Sequence, residues 1–398
     1  MPTIASYTRL GGAHAETATV TNALNALGVR APHTGEPYSE AMILGIAGGL
    51  GAGYILWEFK EHNAKVLVFG FQNKWNYPEK FLDALFGRIN VKPAYFQGGA
   101  KGGAKALEKA ISEGKPGIIW VDRYHLPYYG LPSSMNGSIG QLVTVFGIDG
   151  NDALVDDMAN KPFRLPLERI AAARGRIKSY KNRMLTLEPG KKQKIEKAVI
   201  EGIQDCVAHL SSDSESFSLP VYRKWAKLMT DPHNDKGWPQ VFAGGKGLFP
   251  ALCSVYENIE LYSTGGGGMR GLYADFLDEA AVLLGNLRLS ESAVMYRELA
   301  AKWTAFANDA LSVNSAMQEA RGLLQRKYAL LKEKGGVAYV DTAPINERLE
   351  LFRKTYKERS PMEANEQAAL FAHMHEGLLK LYNGEIAALE ALKRAVAQ

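Results

Sequence analysis

The chain has 398 residues, of which 46% are hydrophobic, 10% aromatic and 22% charged. That balance excludes a disordered or fibrous protein and, at roughly 150 residues per domain, implies two domains. Forty-seven basic residues against forty-two acidic ones leave a net charge of +5. The positive charge is scattered; Gly190-Lys191-Lys192-Gln193-Lys194 is a short cluster, too sparse for the basic stripe that nucleic-acid binding needs.

No apolar run is long enough to span a bilayer, and the N-terminus lacks a basic stretch followed by an apolar one, so neither a membrane segment nor a secretion signal is expected. The two cysteines, Cys206 and Cys253, stand in no metal-binding or disulfide-framework spacing. A reducing, cytoplasmic setting follows, with no metal and no cofactor.

In chain order, Val20, Ala23, Leu24 and Leu27 recur at helical spacing from Ala15 onwards, and Gly28 ends that helix. Ser39 caps a second helix over Glu40 to Leu44, which breaks into a glycine-rich run ending at Tyr54. So many glycines imply close backbone approach. Val66 to Gly70 predicts a strand, Pro78 to Phe86 and Ala100 to Ser112 predict helices, and Gly117 to Asp122 predicts a central strand. A strand meander follows through Leu142 to Gly147, Ala153 to Val155 and Phe163 to Leu165. Beyond Pro189-Gly190 the pattern turns helical, over Lys191 to Leu210, Pro220 to Met229, Leu272 to Leu284, Glu291 to Ala310 and Glu363 to Ala397. The expected fold class is therefore α+β, residues 1–189 mixed and residues 190–398 all-α. Met374, Leu378, Leu379, Leu381 and Tyr382 give the tail an amphipathic face that fits a packed helix better than a membrane surface.

Two places invite a ligand. One is the start of the first helix at Gly12-Ala13-His14-Ala15-Glu16-Thr17. The other is Thr264 to Arg270, where Gly266, Gly267 and Gly268 could offer free N–H groups and Arg270 a charge to a phosphate or carboxylate. No Gly-Lys-Ser/Thr follows that loop, so it is not a nucleotide-hydrolysing one. Ordinary tight packing explains such glycines equally well.

The blocks Gly12 to Thr17, Tyr38-Ser39-Glu40-Ala41-Met42, Asp122 with Leu126-Pro127-Tyr128, Val143 to Asp149, and Asp157 resemble the butirosin biosynthesis protein H family. Ala171 to Arg174, Lys224 to Leu228, Lys236 to Pro239, Tyr256 to Glu260 and Gly266 to Leu277 extend the likeness into the second half. The resemblance implies a papain-like N-terminal domain, then a helical domain of unknown function. It also implies acyl transfer from a carrier-protein thioester to an amine by a Cys–His–Asp unit, in which a thiolate takes the acyl group and a carboxylate orients the imidazole.

Mapped onto this chain, the nucleophile position holds Ala15, the base position Gln141, and only the carboxylate Asp157 is kept, or Asp156 if the register differs by one. Alanine has no nucleophile and a carboxamide cannot take a proton near neutral pH. Two losses in a unit that works only as a whole read as natural degeneration rather than one trapping substitution. Thr17 sits roughly 200° round the helix from Ala15, Ser134 and Ser138 have no evident base, and His125 and His209 read as structural.

The implied role is a binding protein for a small molecule or an acyl- or peptidyl-carrier arm, around Ala15, Gln141, Asp157, Tyr128 and His14, without nucleic acid or membrane. A protein partner or self-association is compatible with it. An active amide-forming acyltransferase and a structural subunit of an assembly are the alternatives. Another Cys, Ser or Thr nucleophile within hydrogen-bonding reach of an imidazole in the groove around Ala15 would overturn the binding role.

Overall fold

The computed structural model describes residues 3–59, 64–191 and 194–397. Lys192 and Gln193 of the short basic cluster lie outside the described residues. The chain opens with α1 (Ala15–Ala26), α2 (Glu40–Ile46), β1 (Leu50–Phe59), β2 (Ala64–Gln72), α3 (Pro78–Ile89), β3 (Val91–Phe96) and α4 (Ala100–Ser112). It continues with β4 (Gly117–Asp122), β5 (Gly140–Asp149), β6 (Asp152–Asp156), β7 (Phe163–Pro166), α5 (Leu167–Arg176) and β8 (Met184–Pro189). The helices α6 (Glu196–Leu210), α7 (Pro220–Thr230), α8 (Trp238–Val241), α9 (Leu248–Tyr256) and α10 (Arg270–Leu284) follow. The last are α11 (Leu287–Asp309), α12 (Ser315–Lys334), α13 (Tyr339–Thr355) and α14 (Ala364–Val396).

Most expected elements form within a few residues of their predicted bounds, for local reasons. Gly28 takes φ +73° just past α1, and Ser39 Oγ accepts the Met42 N–H at 2.9 Å as the cap of α2. Three strands, β1, β3 and β8, and the short helix α5 are not among the predicted elements.

The division into domains differs from a single cut at residue 189. One unit comprises Met1–Ile43, Leu82–Ile195 and Lys327–Asn346; the other comprises Leu44–Phe81, Glu196–Arg326 and Glu347–Gln398. The second unit is consequently not all-α, because the antiparallel hairpin β1–β2 belongs to it. The physical reason lies in the hairpin's aromatic face. Tyr54 stacks on Trp225 of α7 at 4.9 Å and accepts the Trp238 indole N–H at 2.9 Å. Phe69 lies against the same Trp225, and Phe71 meets Trp303 edge-on. Burying such rings outweighs sequence proximity.

The first unit is built on a six-stranded antiparallel sheet in the order β3-β8-β4-β5-β6-β7. β4 is buried at every residue, with α1, α4 and α5 packed against it and its neighbour β5. Residues 327–346 join this unit through the backbone: Lys332 O accepts the Asn160 N–H at 2.7 Å, and Gly336 N–H donates to Pro162 O at 3.1 Å. Gly335 makes that approach possible, since a Cβ there would stand 2.1 Å from Lys161 O.

In the second unit α14 turns Leu370, Phe371, Met374, Leu378, Leu381, Ala388, Leu389 and Leu392 inward at helical spacing. Among the described residues no helix is long and apolar enough to cross a membrane.

Candidate functional site

The first helix begins at an extended residue, His14, whose backbone breaks the helical path. The first N–H groups of a helix lack internal partners and carry partial positive charge. Here the chain supplies its own anion. Glu40, at the start of α2, accepts the Ala13 N–H at 2.8 Å, the His14 N–H at 2.9 Å and the Thr17 hydroxyl at 2.7 Å.

His14 is buried between Glu16, 3.0 Å from its Nε2, and Thr17, whose Oγ1 is 3.2 Å from its Nδ1. Burial alone would raise the Glu16 carboxyl, but the His14 side chain outweighs it and holds Glu16 below the usual carboxylate range. A hydroxyl within reach of an imidazole is the arrangement that would count against a non-catalytic site. Thr17 is fully buried and gives its proton to Glu40, which leaves this hydroxyl without access to a substrate.

Ala15, 3% exposed, lies between His14 and Glu16 on α1, the helix that packs on β5. Gln141, the second residue of β5, is buried and donates through Nε2 to Asp157 Oδ1 and, at 3.1 Å, to the Tyr129 hydroxyl. Asp157 Oδ2 accepts the Tyr128 hydroxyl at 2.6 Å and that of Tyr129 at 3.1 Å. Burial pushes the Asp157 carboxyl up to about 6, against these hydrogen bonds and the nearby charge of Arg123. The Arg123 guanidinium lies 4.1 Å from the centre of the Tyr129 ring and donates to the Tyr328 hydroxyl at 2.7 Å. The buried Lys327 ammonium donates to Tyr129 O.

Neighbouring residues at the end of β6 face opposite ways, which resolves the register between Asp156 and Asp157. Asp156 accepts Tyr7 at 2.7 Å, Asn22 at 2.8 Å and the Gly11 N–H at 3.3 Å. It ties the segment before α1 to the sheet, and only Asp157 meets Gln141. Asp156 is likewise pushed up to about 6, chiefly by burial.

Thus Gln141, Asp157 and Tyr128 come together in the first unit, while Gly266, Gly267, Gly268 and Arg270 lie in the second. Arg270 is fully buried. It donates to Glu385 Oε1 at 2.8 Å, Gly268 O at 2.7 Å, Gly51 O at 3.4 Å and the Tyr222 hydroxyl at 3.2 Å, between the rings of Phe71 and Trp303. The Gly267 N–H donates to Glu260 Oε1 at 2.9 Å. A Cβ on Gly267 would stand 2.7 Å from Ala300 O. These partners account for the loop as internal packing of the second unit, with its charge and the Gly266 and Gly267 amides engaged inside the fold.

Sequence reasoning missed the roles of Glu40, Tyr129 and Arg123. Glu40 was signalled by its place after the Ser39 cap and within the Tyr38 to Met42 block; Arg123 and Tyr129 flank recognised positions but carried no periodic cue. Among the described residues no group of three or more His, Cys, Asp or Glu is arranged to hold a metal ion.

Residues 14–158 match the family described as Butirosin biosynthesis protein H, N-terminal, and residues 166–333 match a Domain of unknown function (DUF4872). No curated protein matches the chain.

Proposed function

We propose, from the premise that this chain belongs to the butirosin biosynthesis protein H family and carries its C-terminal domain of unknown function, that it is a binding protein descended from acyl-transferring relatives. It holds a carrier-type arm or a similar small ligand beside α1 and β5 without forming a covalent bond to it. The papain-like ancestry of this unit and its intracellular setting belong to the same reading, the latter because Cys206 and Cys253 are free thiols.

One observation carries the proposal. Gln141 donates to the retained carboxylate of Asp157, in the place where an active relative's imidazole would be oriented by that carboxylate, and Ala15 supplies a methyl group where such a relative has a thiolate. A carboxamide keeps the hydrogen bond and loses the base. The N-terminal amides Ala13 and His14, which favour a negative charge, already hold Glu40.

The test uses the wild-type chain with pantetheine and with an acyl thioester of N-acetylcysteamine. Calorimetric binding of pantetheine, with thioester consumed no faster than in buffer and no mass adduct on the protein, is the expected result. An acyl adduct formed by Ala15→Cys alone would favour the active-transferase alternative instead.

Thr17 lies beside His14 but is buried and engaged with Glu40; thioester turnover by the wild type that disappears in Thr17→Val would overturn the binding reading.

A further inference from the structure

The short turn Lys178–Tyr180 places a phenol at the start of β5. Its oxygen stands 1.7 Å from where a Cβ of Gly140 would be, so the ring tip rests directly on Gly140, the residue before Gln141. Gly140 pairs with Asp122 across β4. Tyr180 also lies within electrostatic reach of Glu16, in the first turn of α1, and of Asp122. One hydroxyl is thereby brought beside both the α1 start and the β5 start.

The other polar groups around it are engaged. Asp122 accepts the Tyr124 and Gly137 N–H groups at 3.2 and 2.8 Å, and Glu16 pairs with His14. Among the described residues none hydrogen-bonds the Tyr180 hydroxyl, which is half-buried. A half-buried phenol beside a site, with no partner of its own, has a donor to offer.

Resting on the binding role proposed above, we infer that Tyr180 is a ligand-contacting residue of this site, donating its O–H to a carbonyl oxygen of an amide-bearing ligand. Burial, with the charges of Glu16 and Asp122, pushes its pKa up to about 12, so at neutral pH the phenol keeps the proton it donates. The same two carboxylates disfavour an anionic oxygen there and favour a neutral carbonyl.

Pantetheine, which carries two amide groups, is the probe. Tyr180→Phe keeps the ring and removes only the donor; it should leave the thermal midpoint unchanged and weaken pantetheine binding by about 3- to 10-fold, the worth of one neutral hydrogen bond. Gly140→Ala, which displaces the phenol, should weaken binding at least as much. In protein carrying carbon-13 at the tyrosine Cζ, the Tyr180 resonance should shift on adding pantetheine. Equal affinity of wild type and Tyr180→Phe, or an unmoved Tyr180 resonance at saturation, overturns this inference while leaving the binding role intact. No pantetheine binding by the wild type overturns both.

Discussion

The side-chain amide of Gln141 reaches Asp157 Oδ1, and the phenols of Tyr128 and Tyr129 reach the other oxygen of the same carboxylate. Asp157 therefore accepts from three buried donors. Asp157→Ala removes these three buried hydrogen bonds and should cost about 3 kcal/mol, at about 1 kcal/mol each. Gln141→Leu removes one donor and should cost roughly half of that. Urea unfolding at constant m-value measures both.

Asp156 and Asp157 are both pushed up to about 6 by burial. An unfolded aspartate titrates near ~4, so between about pH 4 and 6 the folded chain holds protons that the unfolded chain has released. The stability these two groups contribute is present in full below about pH 4 and declines as pH rises through about 6. Replacing Asp157 by Asn should flatten that decline by on the order of 2 kcal/mol. The comparison is the difference between wild type and variant in chemical unfolding from pH 4 to 7, which cancels Glu16. That group's lowered pKa has the opposite sign, its stability being lost as pH falls.

Glu40 holds the start of α1 from outside the helix. Glu40→Ala leaves two N–H groups and a buried hydroxyl without their acceptor and should destabilise by about 2 kcal/mol; Glu40→Gln, which can still accept through its carbonyl oxygen, should lose about 1 kcal/mol. If the cap serves only the helix, neither change creates thioester turnover. Denaturant midpoints and a thioester assay on the same samples check both halves of this statement.

Arg270 and Glu385 form an ion pair with both side chains fully buried, and Glu385 also accepts the Trp303 indole N–H at 2.8 Å. Breaking it from one side, with Arg270→Met or Glu385→Leu, should cost about 3–5 kcal/mol because an uncompensated charge stays inside. Arg270→Lys should not rescue, since one ammonium cannot serve Glu385, Gly268 O and Tyr222 together as the guanidinium fork does. The double variant Arg270→Met with Glu385→Leu should be less destabilised than either single one if charge burial dominates. Thermal unfolding of the four proteins closes the cycle.

Much of the local structure was legible along the chain because it rests on local causes: the Gly28 stop, the Ser39 cap and the apolar period of α14 each act within a few residues. The candidate site was half legible. Ala15, Gln141 and Asp157 could be picked out by their place in a recognisable order of motifs, and Gln141 and Asp157 do meet. Glu40 and Tyr180 could not, because each meets partners 23 or more residues away, and no periodicity records such a meeting.

The sequence by itself determined the two-part composition, the mixed first half and the helical remainder, since these are properties of residue type and short-range spacing. Tertiary structure alone decided that the hairpin β1–β2 joins the helical unit, that Asp157 and not Asp156 meets Gln141, and that Arg270 turns inward to Glu385. The reason is the same in all three: burying aromatic surface and pairing charge out of water are long-range gains that depend on which surfaces come together, and they override the order in which residues are strung.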